Sequence, residues 1–296
     1  MADLTFGIKT TPMHVEYADV LAVWQQADRF PQIADAWLWD HLLPMGPDKA
    51  GPCLEGWTLL SALAGQTDRL GLGLLVTSNR LRAPALLGKM ASTVDVISGG
   101  RLVLGLGVGG THQRGPNPAA EEYAAYGFDL VPPREGLARL DETVRILRRM
   151  WTEERFDFDG PFTTLRGTRN APKPVRPGGP PVLIGGWGDR TLKLVAEHAD
   201  IWNVPGPPHN PVSFLAERAA VLDAHCAALG RDPGEIRRSV QLVVNYRDPA
   251  ESRRLATELV AAGADHLVLA LPAGYPDGVV EWAVEQIVEP VAARFR

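Results

Sequence analysis

The sequence predicts an α/β fold of the TIM (β/α)8 barrel class, in which eight parallel strands alternate with eight helices. Short apolar runs alternate with amphipathic stretches along all 296 residues. The segment Leu70–Gly110 contains one such unit, in the order strand, helix, strand. Polar or glycine-rich turns follow several of the predicted strands, and in a parallel barrel that end of the strands is where ligands bind.

The predicted strands are short apolar runs that end at a polar turn or at glycine. They are Thr5–Lys9, Trp37–Asp40, Leu70–Thr77, Arg101–Gly107, Pro181–Gly186, Ile201–Val204, Ser239–Asn245 and His266–Leu271. The first strand leads into Thr10–His14, which lacks the glycine-rich turn typical of an open doubly wound sheet. That sheet stays the alternative, but the number of units favours one barrel domain over residues 1–296.

The predicted helices alternate with these strands and carry apolar residues at helical spacing. They are Tyr17–Phe30, Gly56–Gln66, Ala83–Ile97, Arg134–Trp151, Asp189–His198, Pro211–Leu229, Pro249–Ala262 and Pro276–Val291. Three of them open with proline (Pro211, Pro249 and Pro276), which lacks only a donor that a first turn leaves unpaired. Gly230 and Gly263 follow helices as stop signals.

Two connections are too long to be simple turns and predict insertions after the fourth strand and before the fifth. They are Gly110–Pro133 and Thr152–Pro180. Loops of this length in compact domains are often lids or binding elements. We expect Thr111–Pro133, which contains Gly115-Pro116-Asn117-Pro118, to be an irregular, mobile lid. The alternative is a permanently packed surface loop. The second connection should hold a small hairpin, FDFDGPFTTL, followed by an extended proline-rich arm.

The composition and charge of the chain argue against several functional classes. The formal net charge of −5 argues against nucleic acid or an anionic membrane as the main partner. The sequence contains no apolar run long enough to span a membrane, and its start lacks the regions of a signal peptide, so we expect a cytoplasmic protein. Cys53 and Cys226 lie far apart without a CxxC motif, which predicts a reducing compartment and no zinc site.

Two glycine clusters, Gly105–Gly110 and Gly185–Thr191, follow the fourth and fifth predicted strands. Glycine lets backbone N–H groups approach an anion, and a helix start attracts phosphate. Because these strands are neighbours in a closed barrel, we expect the clusters to share one phosphate. The alternative for GLGVGG, which does not open a helix directly, is a strand that needs small residues for packing.

Asp40 and His41 end the second predicted strand, where a polar pair would point into the barrel mouth. A neutral histidine there can donate a hydrogen bond or relay a proton. The alternative is a capping aspartate beside a half-exposed histidine. His14 and His112 also follow strands. The sequence has no metal-spaced group such as HExxH and no GxSxG elbow, so metal-dependent or serine-dependent hydrolysis is not predicted.

The stretch from Asp95 to Arg101 joins a helix to the next strand, and it therefore lies at the opposite, bottom face of the predicted barrel. Residues there usually serve stability. We expect Asp95 and Arg101 to form a structural ion pair or a turn clamp.

Several stretches match a known family in order along residues 36–236. They are Trp39-Asp40-His41, LEGWTLLSALAGQTDRLGLGLLVT, RAPALLGKMASTVDVISGGRLVLGLGVG, EEYAAYGFDLVPPREGLARLDETVRILRRMW, NAPKPVRPGGPPVLIGGWGDRTLKLVAEHADIWN and HCAALGRDPGEI. On these motifs the chain resembles the luciferase-like monooxygenase superfamily, and most closely its branch of oxidoreductases that use the deazaflavin coenzyme F420.

The resemblance implies a TIM barrel with a flavin-type cofactor in its mouth, a ring that lies over a bulge in strand three, and a homodimer. A non-proline cis peptide is expected at Leu75-Val76 or one residue earlier. Asp40 and His41 would be the catalytic residues, and His14 and His112 would face the substrate. The residues implied to bind the cofactor are Asp40, Leu75, Val76, Thr77, Gly107, Val108, Gly109, Gly110, Gly186, Trp187 and Gly188.

One departure from the family bears on the proton donor. In some relatives that oxidise sugar phosphates, an acidic residue follows the strand-four glycines, and here that place is Gly110. An acid or base must then come from elsewhere, with His41, His14 and Glu121 or Glu122 as the candidates.

The resemblance predicts an oxidoreductase that transfers a hydride between coenzyme F420 and a small organic substrate. The first alternative is an FMN-dependent monooxygenase that uses a partner reductase and oxygen. The second is a flavin-binding relative without enzymatic activity.

Overall fold

A computed structural model describes residues 4–46, 48–113 and 117–296. The strands of the main sheet are β1 (Thr5–Lys9), β2 (Ile33–Leu38), β3 (Gly71–Leu74), β4 (Thr77–Ser78), β5 (Leu104–Gly107), β8 (Val182–Gly185), β9 (Ile201–Pro205), β10 (Arg237–Val243) and β11 (His266–Ala270). A separate hairpin contains β6 (Phe156–Asp159) and β7 (Thr164–Thr168).

In the described part of the chain, these nine strands pair in parallel in the order β3-β2-β1-β11-β10-β9-β8-β5-β4. The third barrel strand is broken into two pieces: β3 pairs with β2, whereas β4 pairs with β5. A bridge between Leu72 and Leu102 brings the two ends of the sheet together. The predicted α/β barrel is therefore confirmed, and strands four and five (β5 and β8) are neighbours as expected.

Helices connect the strands. They are α1 (Tyr17–Arg29), α2 (Gly56–Ala64), α3 (Pro84–Ile97), α4 (Pro118–Ala125), α5 (Pro133–Thr152), α6 (Asp189–His198), α7 (Val212–Leu229), α8 (Pro249–Ala261), α9 (Val279–Ala283) and α10 (Glu289–Phe295), with a 3-10 turn at Pro233–Glu235 and a π-helical turn at Val284–Val288. Of these helices, α9 and α10 follow the last strand. Pro249 opens its helix as predicted. Pro276 does not, because Gly278 at a φ of +71° directs the chain into a helix that starts at Val279.

The second and third predicted strands differ from the structure in ways that matter for the site. The second was expected at Trp37–Asp40, but β2 starts at Ile33 and ends at Leu38. Asp35 interrupted the apolar pattern there, and the structure buries it against His266, with Oδ1 3.1 Å from Nε2. The third was expected as one strand over Leu70–Thr77, but Leu75 and Val76 separate β3 from β4.

The structure differs from the prediction in the first insertion and agrees with it in the second. The first was expected to be irregular, yet it contains α4, which Asn117 caps by accepting from the Ala119 N–H at 3.2 Å. Gly115 and Pro116 of the predicted lid lie outside the described residues. The second insertion contains the predicted hairpin, with Phe156 opposite Thr168.

The main core lies between the barrel wall and the helices, and a smaller apolar cluster fills the barrel. The inner cluster consists of Trp37, Leu75, Leu183, Ile201 and Val268. In parallel barrels such inward layers form a packed interior, so ligands are left with the mouth. Among the described helices, none combines the length and apolar character needed to cross a bilayer.

The bottom turn has the predicted structural role. Arg101 donates to the carbonyls of Ala64, Leu70 and Ser98 at 2.7–2.8 Å, while the Asp95 carboxylate accepts from the Val175 N–H at 2.7 Å. The two side chains clamp different segments and do not pair with each other. Of the two predicted arrangements, the structure therefore contains the turn clamp and not the ion pair.

Candidate active site at the mouth of the barrel

Two cavities open side by side at the carboxyl ends of the barrel strands. The larger cavity, of about 580 Å³, lies over the ends of β1, β9, β10 and β11. The smaller cavity, of about 330 Å³, lies between the broken third strand, β5 and α4. Lys9 and Trp39 line both cavities. Both volumes are in the range of small-molecule sites, and the mouth is the functional face of a barrel.

The break in the third strand forms one wall of the smaller cavity. The Leu75–Val76 peptide bond is cis, as the resemblance implies. The Val76 side chain points towards both glycine clusters: a Cβ atom added at Gly107 would lie 2.6 Å from Val76 Cγ2, and one at Gly185 would lie 2.9 Å from Cγ1. Both clusters therefore flank one side chain. The packing alternative accounts for Gly107, because a larger residue would collide with Val76.

Gly107→Ala is accordingly expected to lower the free energy of unfolding by about 1–3 kcal/mol, because its Cβ would overlap Val76 in a packed interior. Urea unfolding measures this loss. Val76→Ala is the matched control, since it removes the two methyl groups. The double variant should be more stable than the sum of the single losses predicts, by at least about 0.5 kcal/mol. Strictly additive losses would contradict this packing account.

The end of the strand-four cluster is occupied by a side chain from α4. The Gly110 N–H donates to Tyr123 Oη at 2.6 Å, and the same hydroxyl lies 2.7 Å from Ser78 Oγ. Tyr123 is 2% exposed. In this conformation the Gly110 N–H is already engaged, so it does not offer a phosphate the free donor that the sequence predicted. The described linings of the two cavities do not include Val108, whose side chain packs against Gly136 of α5.

The second cluster leads into α6 and leaves the helix start without a side-chain cap. Gly188 is the N-cap residue. The Gly186 N–H donates to the Asn203 carbonyl at 3.1 Å, which fixes the turn before the helix. Trp187 is 46% exposed and lines the larger cavity, where its ring contacts Phe214 edge-on. An uncapped helix start offers unpaired N–H groups and the positive end of the helix dipole to an anion.

Asp40 lies at the smaller cavity but is fully engaged. Its Oδ2 accepts from Arg82 at 2.7 Å and from the Ser78 N–H at 2.8 Å, and Oδ1 accepts from Arg82 at 2.9 Å. Burial raises the pKa of Asp40 above its ordinary value, and Arg82 opposes that shift. Arg82 also pairs with Glu55. This geometry favours a positioning role for Asp40, which holds the broken strand, over the predicted catalytic role.

His41 is held by a carboxylate from α4. Its Nδ1 lies 3.2 Å from Glu122 Oε2, and the Leu42 and Leu43 N–H groups also donate to Glu122. Burial alone would raise the pKa of Glu122, but His41 and the two backbone donors outweigh it, and the pKa is lowered. A carboxylate that fixes one ring nitrogen leaves the other available to a ligand. Of the two acids in the prediction, Glu122 reaches the site, whereas the Glu121 carboxylate is exposed near Lys49.

Of the other predicted site residues, some line a cavity and others lie outside both cavities. His14 lines the larger cavity with a φ of +54°, an uncommon conformation for a residue with a side chain. The described lining of the two cavities does not include His112, which is exposed. Leu75 lines the smaller cavity, and Thr77 is fully buried beside it.

Lys9 was missed by the sequence analysis. Its ammonium donates to Gln241 Oε1 and lies 4.7 Å from the centroid of the Trp39 ring. Burial lowers the pKa of Lys9 from 10.5 to about 7. The signal in the sequence was a lysine at the last position of an apolar strand, which points inward at the mouth. Such a lysine more often extends to solvent, so the pattern alone did not single it out.

Among the described residues, one cluster of possible metal ligands lies outside the mouth. The ligand atoms of Asp141, Glu197 and His198 lie within 4.8 Å of one another between α5 and α6. The sequence analysis expected no such group, because the two helices are distant in sequence. His198 Nε2 lies 2.7 Å from Asp141 Oδ1, so the group is explained as a contact between two helices.

Comparisons with known proteins agree with this architecture. The luciferase-like monooxygenase family matches residues 6–285. Pyrimidine monooxygenase RutA from Cronobacter sakazakii is 32% identical over 232 residues, which cover 78% of this chain and 61% of the relative. A phthiodiolone/phenolphthiodiolone dimycocerosates ketoreductase from Mycobacterium sp. (strain JLS) is 31% identical over 216 residues, which cover 71% of this chain and 53% of the relative.

Among solved structures, an F420-dependent secondary alcohol dehydrogenase in complex with an F420–acetone adduct superposes with a TM-score of 0.84 at 16% identity. The match covers 98% of this chain and 99% of that one. At this identity the likeness shows a shared fold. The chain spans only 53–61% of the length of the two curated relatives described above. The family match over residues 6–285 nevertheless shows that this chain belongs to the luciferase-like monooxygenase family.

Proposed function

We propose that this chain is an oxidoreductase that transfers a hydride between coenzyme F420 and a small organic molecule. The observation that carries the proposal is the pair of adjoining cavities at the mouth, which offers one space for a cofactor and one for a substrate. The name of the F420-dependent alcohol dehydrogenase with the same fold supports the choice of cofactor. By family resemblance we also propose a homodimer that works in the cytoplasm.

The residues present fit such a cofactor. The apolar wall of Trp39, Leu75 and Val76 suits a flat ring, and the uncapped start of α6 at Gly188 suits a phosphate. Gly107 and Gly109 complete the wall next to β5. When bound, a reduced deazaflavin supplies the hydride, so the protein need not provide a nucleophile. Its own tasks are to hold the ring, to exclude water and to handle the proton.

In this proposal His41 binds the cofactor or a reacting group from the smaller cavity, with its ring fixed by Glu122. Asp40 and Arg82 keep the broken strand in place beneath it. His14 faces the substrate from the rim of the larger cavity. Tyr123 closes the cofactor space from the α4 side through its contacts with Gly110 and Ser78.

The second candidate function is an FMN-dependent monooxygenase that uses a partner reductase and oxygen. The observation in its favour is the relationship to a pyrimidine monooxygenase at 32% identity. The two candidates use the same barrel mouth, so the bound cofactor distinguishes them.

Titration of the purified protein with each cofactor, followed by visible absorption, tests the proposed function. We expect coenzyme F420 to bind with a spectral change and FMN to bind at least about ten-fold more weakly, a difference of about 1.4 kcal/mol. Tight FMN binding together with substrate-dependent oxygen uptake would establish the monooxygenase instead. Failure of both cofactors to bind would overturn both candidates.

Gly188→Asp should weaken cofactor binding about ten-fold or more, because it places a carboxylate at the helix start where the phosphate is expected. The position tolerates a side chain, since an added Cβ would meet nothing closer than Thr191 Oγ1 at 3.7 Å. Gly188→Asn is the matched neutral control, and both residues are good N-caps, so both variants should unfold at or above the wild-type urea midpoint. Equal cofactor affinity in the two variants would place the phosphate elsewhere.

A further inference from the structure

The larger cavity is an apolar chamber with few charges. The described residues that line it include no carboxylate, and Lys9 is the one amine among them. Its apolar walls come from Met13, Trp39, Met45, Trp187, Val243 and Leu271. A chamber of this kind accepts a mainly hydrocarbon molecule and meets its polar group at one place.

That place is where the two cavities join. His14 lines only the larger cavity and His41 only the smaller one, whereas Lys9 lines both. If a cofactor ring occupies the smaller cavity and a substrate the larger one, the Lys9 ammonium lies beside the atoms that react. No other titratable residue in the described linings has this position.

The surroundings of Lys9 keep it in place without neutralising it. Gln241 accepts from the ammonium and is itself oriented by donating to Asn203 Oδ1 at 2.7 Å. Asn203 in turn donates to Ser239 Oγ at 2.8 Å. An ammonium has three donors, and Gln241 takes one while the Trp39 face contacts the group from another side. A donor is left for a ligand.

The acid–base behaviour of the group is consistent with this position. Burial brings the pKa of Lys9 to about 7, so the amine both gains and loses a proton near neutral pH. Besides Lys9, the titratable groups that face the two cavities are His14 and His209 in the larger and Asp40, His41, Glu122 and Tyr123 in the smaller. Among the described ion pairs, the carboxylates of Asp40 and Glu122 are committed to Arg82 and His41.

We propose that the substrate is an apolar ketone or secondary alcohol, and that Lys9 donates a proton to its oxygen atom during reduction and accepts that proton during oxidation. This inference rests on the proposed function, because it assigns the substrate of the same site. It also supplies a proton donor, because Gly110 occupies the position of the acidic residue in some relatives.

The reaction balances with the groups named. In the direction of reduction, a C–H bond of the reduced deazaflavin would break and its hydride would form a C–H bond at the carbonyl carbon, while one electron pair of the C=O bond moves to oxygen. Lys9 breaks one N–H bond and the substrate oxygen forms an O–H bond, so the ketone becomes an alcohol and the deazaflavin is oxidised by two electrons. The neutral Lys9 amine regains a proton from water. In the direction of oxidation the neutral amine accepts the alcohol proton.

The first test reads Lys9 directly by NMR. The sequence contains only five lysines, Lys9, Lys49, Lys89, Lys173 and Lys193, so lysine labelled with 13C at Cε gives a resolvable set of signals. Lys9→Met identifies the Lys9 signal by its loss. We expect this signal to titrate near pH 7 and to shift when 2-heptanone is added but not when heptane is added. A Lys9 signal that does not respond to 2-heptanone would overturn the proposal.

The second test is made with coenzyme F420 bound, and it distinguishes proton transfer by Lys9 from an electrostatic effect of its positive charge. Lys9→Met should lower turnover of 2-alkanones by about 100-fold or more, whereas cofactor affinity should stay within about three-fold. Lys9→Arg keeps the charge but holds its proton, so it should be as slow as Lys9→Met. In the wild type, kcat/KM for reduction should fall as pH rises through about 7, because protonated Lys9 is needed. For alcohol oxidation kcat/KM should rise over the same range.

The outcomes separate this inference from the proposed function. A wild-type protein that does not bind coenzyme F420 contradicts the proposed function. A wild-type protein that binds it but turns over no 2-alkanone or 2-alkanol overturns the substrate class assigned here. Normal turnover by Lys9→Met or Lys9→Arg with bound cofactor overturns the role of Lys9. Lys193→Met, an exposed lysine on α6, serves as the control variant and should match the wild type.

Discussion

Arg82→Met is expected to lower the free energy of unfolding by about 3–5 kcal/mol at pH 8, because it leaves the Asp40 carboxylate buried without its partner. Arg82 makes two hydrogen bonds to Asp40, and the Asp40 side chain has no solvent exposure. Only the Ser78 N–H would still donate to it. Glu55 loses less, since it is partly exposed and still accepts from the N–H groups of Trp57 and Thr58 at the start of α2.

This loss should depend on pH in a defined direction. Burial raises the pKa of Asp40, and without Arg82 the folded-state pKa rises further above the unfolded value. A carboxyl whose folded pKa is raised destabilises the fold more as pH increases from the unfolded pKa towards the folded one. Urea unfolding of Arg82→Met should therefore show a smaller deficit at pH 5 than at pH 8.

The double variant Arg82→Met/Asp40→Asn is the control, because it removes the buried charge together with its partner. We expect it to recover a large part of the stability that the single variant loses. A single variant as stable as the wild type at both pH values would show that the pair contributes nothing. A double variant no better than the single would show that the loss comes from packing and not from the unpaired charge.

Arg101→Met is expected to lower the free energy of unfolding by about 3 kcal/mol without changing cofactor affinity. The guanidinium donates to four backbone carbonyls, those of Ala64, Thr67, Leu70 and Ser98, and to the Thr67 hydroxyl. Hydrogen bonds from a charged donor contribute more than neutral ones, and the carbonyls of the α2 end would lose their partner. The group is only half-buried, so water replaces part of what is lost.

Arg101→Lys is the matched control, since an ammonium keeps the charge but cannot span five acceptors in one plane. It should be intermediate in stability. The same visible titration that measures cofactor binding at the mouth supplies the second readout, and we expect all three proteins to bind equally. A variant with weakened cofactor binding would show that the bottom turn communicates with the mouth, contrary to the division of roles proposed here.

The local parts of the fold were predictable because their causes are local. The apolar runs of β1, β10 and β11 and the proline at the start of α8 identify these elements wherever they are placed. The bottom clamp at Arg101 was also predictable, since the residue lies between a helix and a strand. The helix α4 was not predicted although Asn117 and Pro118 are a good start signal, because Gly115 and Pro116 directly before them are typical of a loop.

The order of the strands along the chain fixed which glycine clusters would be neighbours, because consecutive parallel strands in a barrel are adjacent. The sequence by itself therefore determined the barrel and the face at which its mouth lies. The tertiary structure decided what each side chain does there. Tyr123 accepts from the Gly110 N–H, Arg82 donates to Asp40, and Val76 packs against Gly107. No pattern along the chain links these partners, and they meet only in the folded structure.

Lys9 shows most directly that the role of a side chain depends on the tertiary structure. Its position in the sequence is that of an ordinary strand end, and its significance depends on burial, on Gln241 from β10 and on two cavities that meet beside it. Desolvation is a property of the whole fold, since it depends on every element packed around a group. A sequence pattern states which residues are near one another along the chain, whereas the pKa of a buried amine depends on which residues exclude water from it.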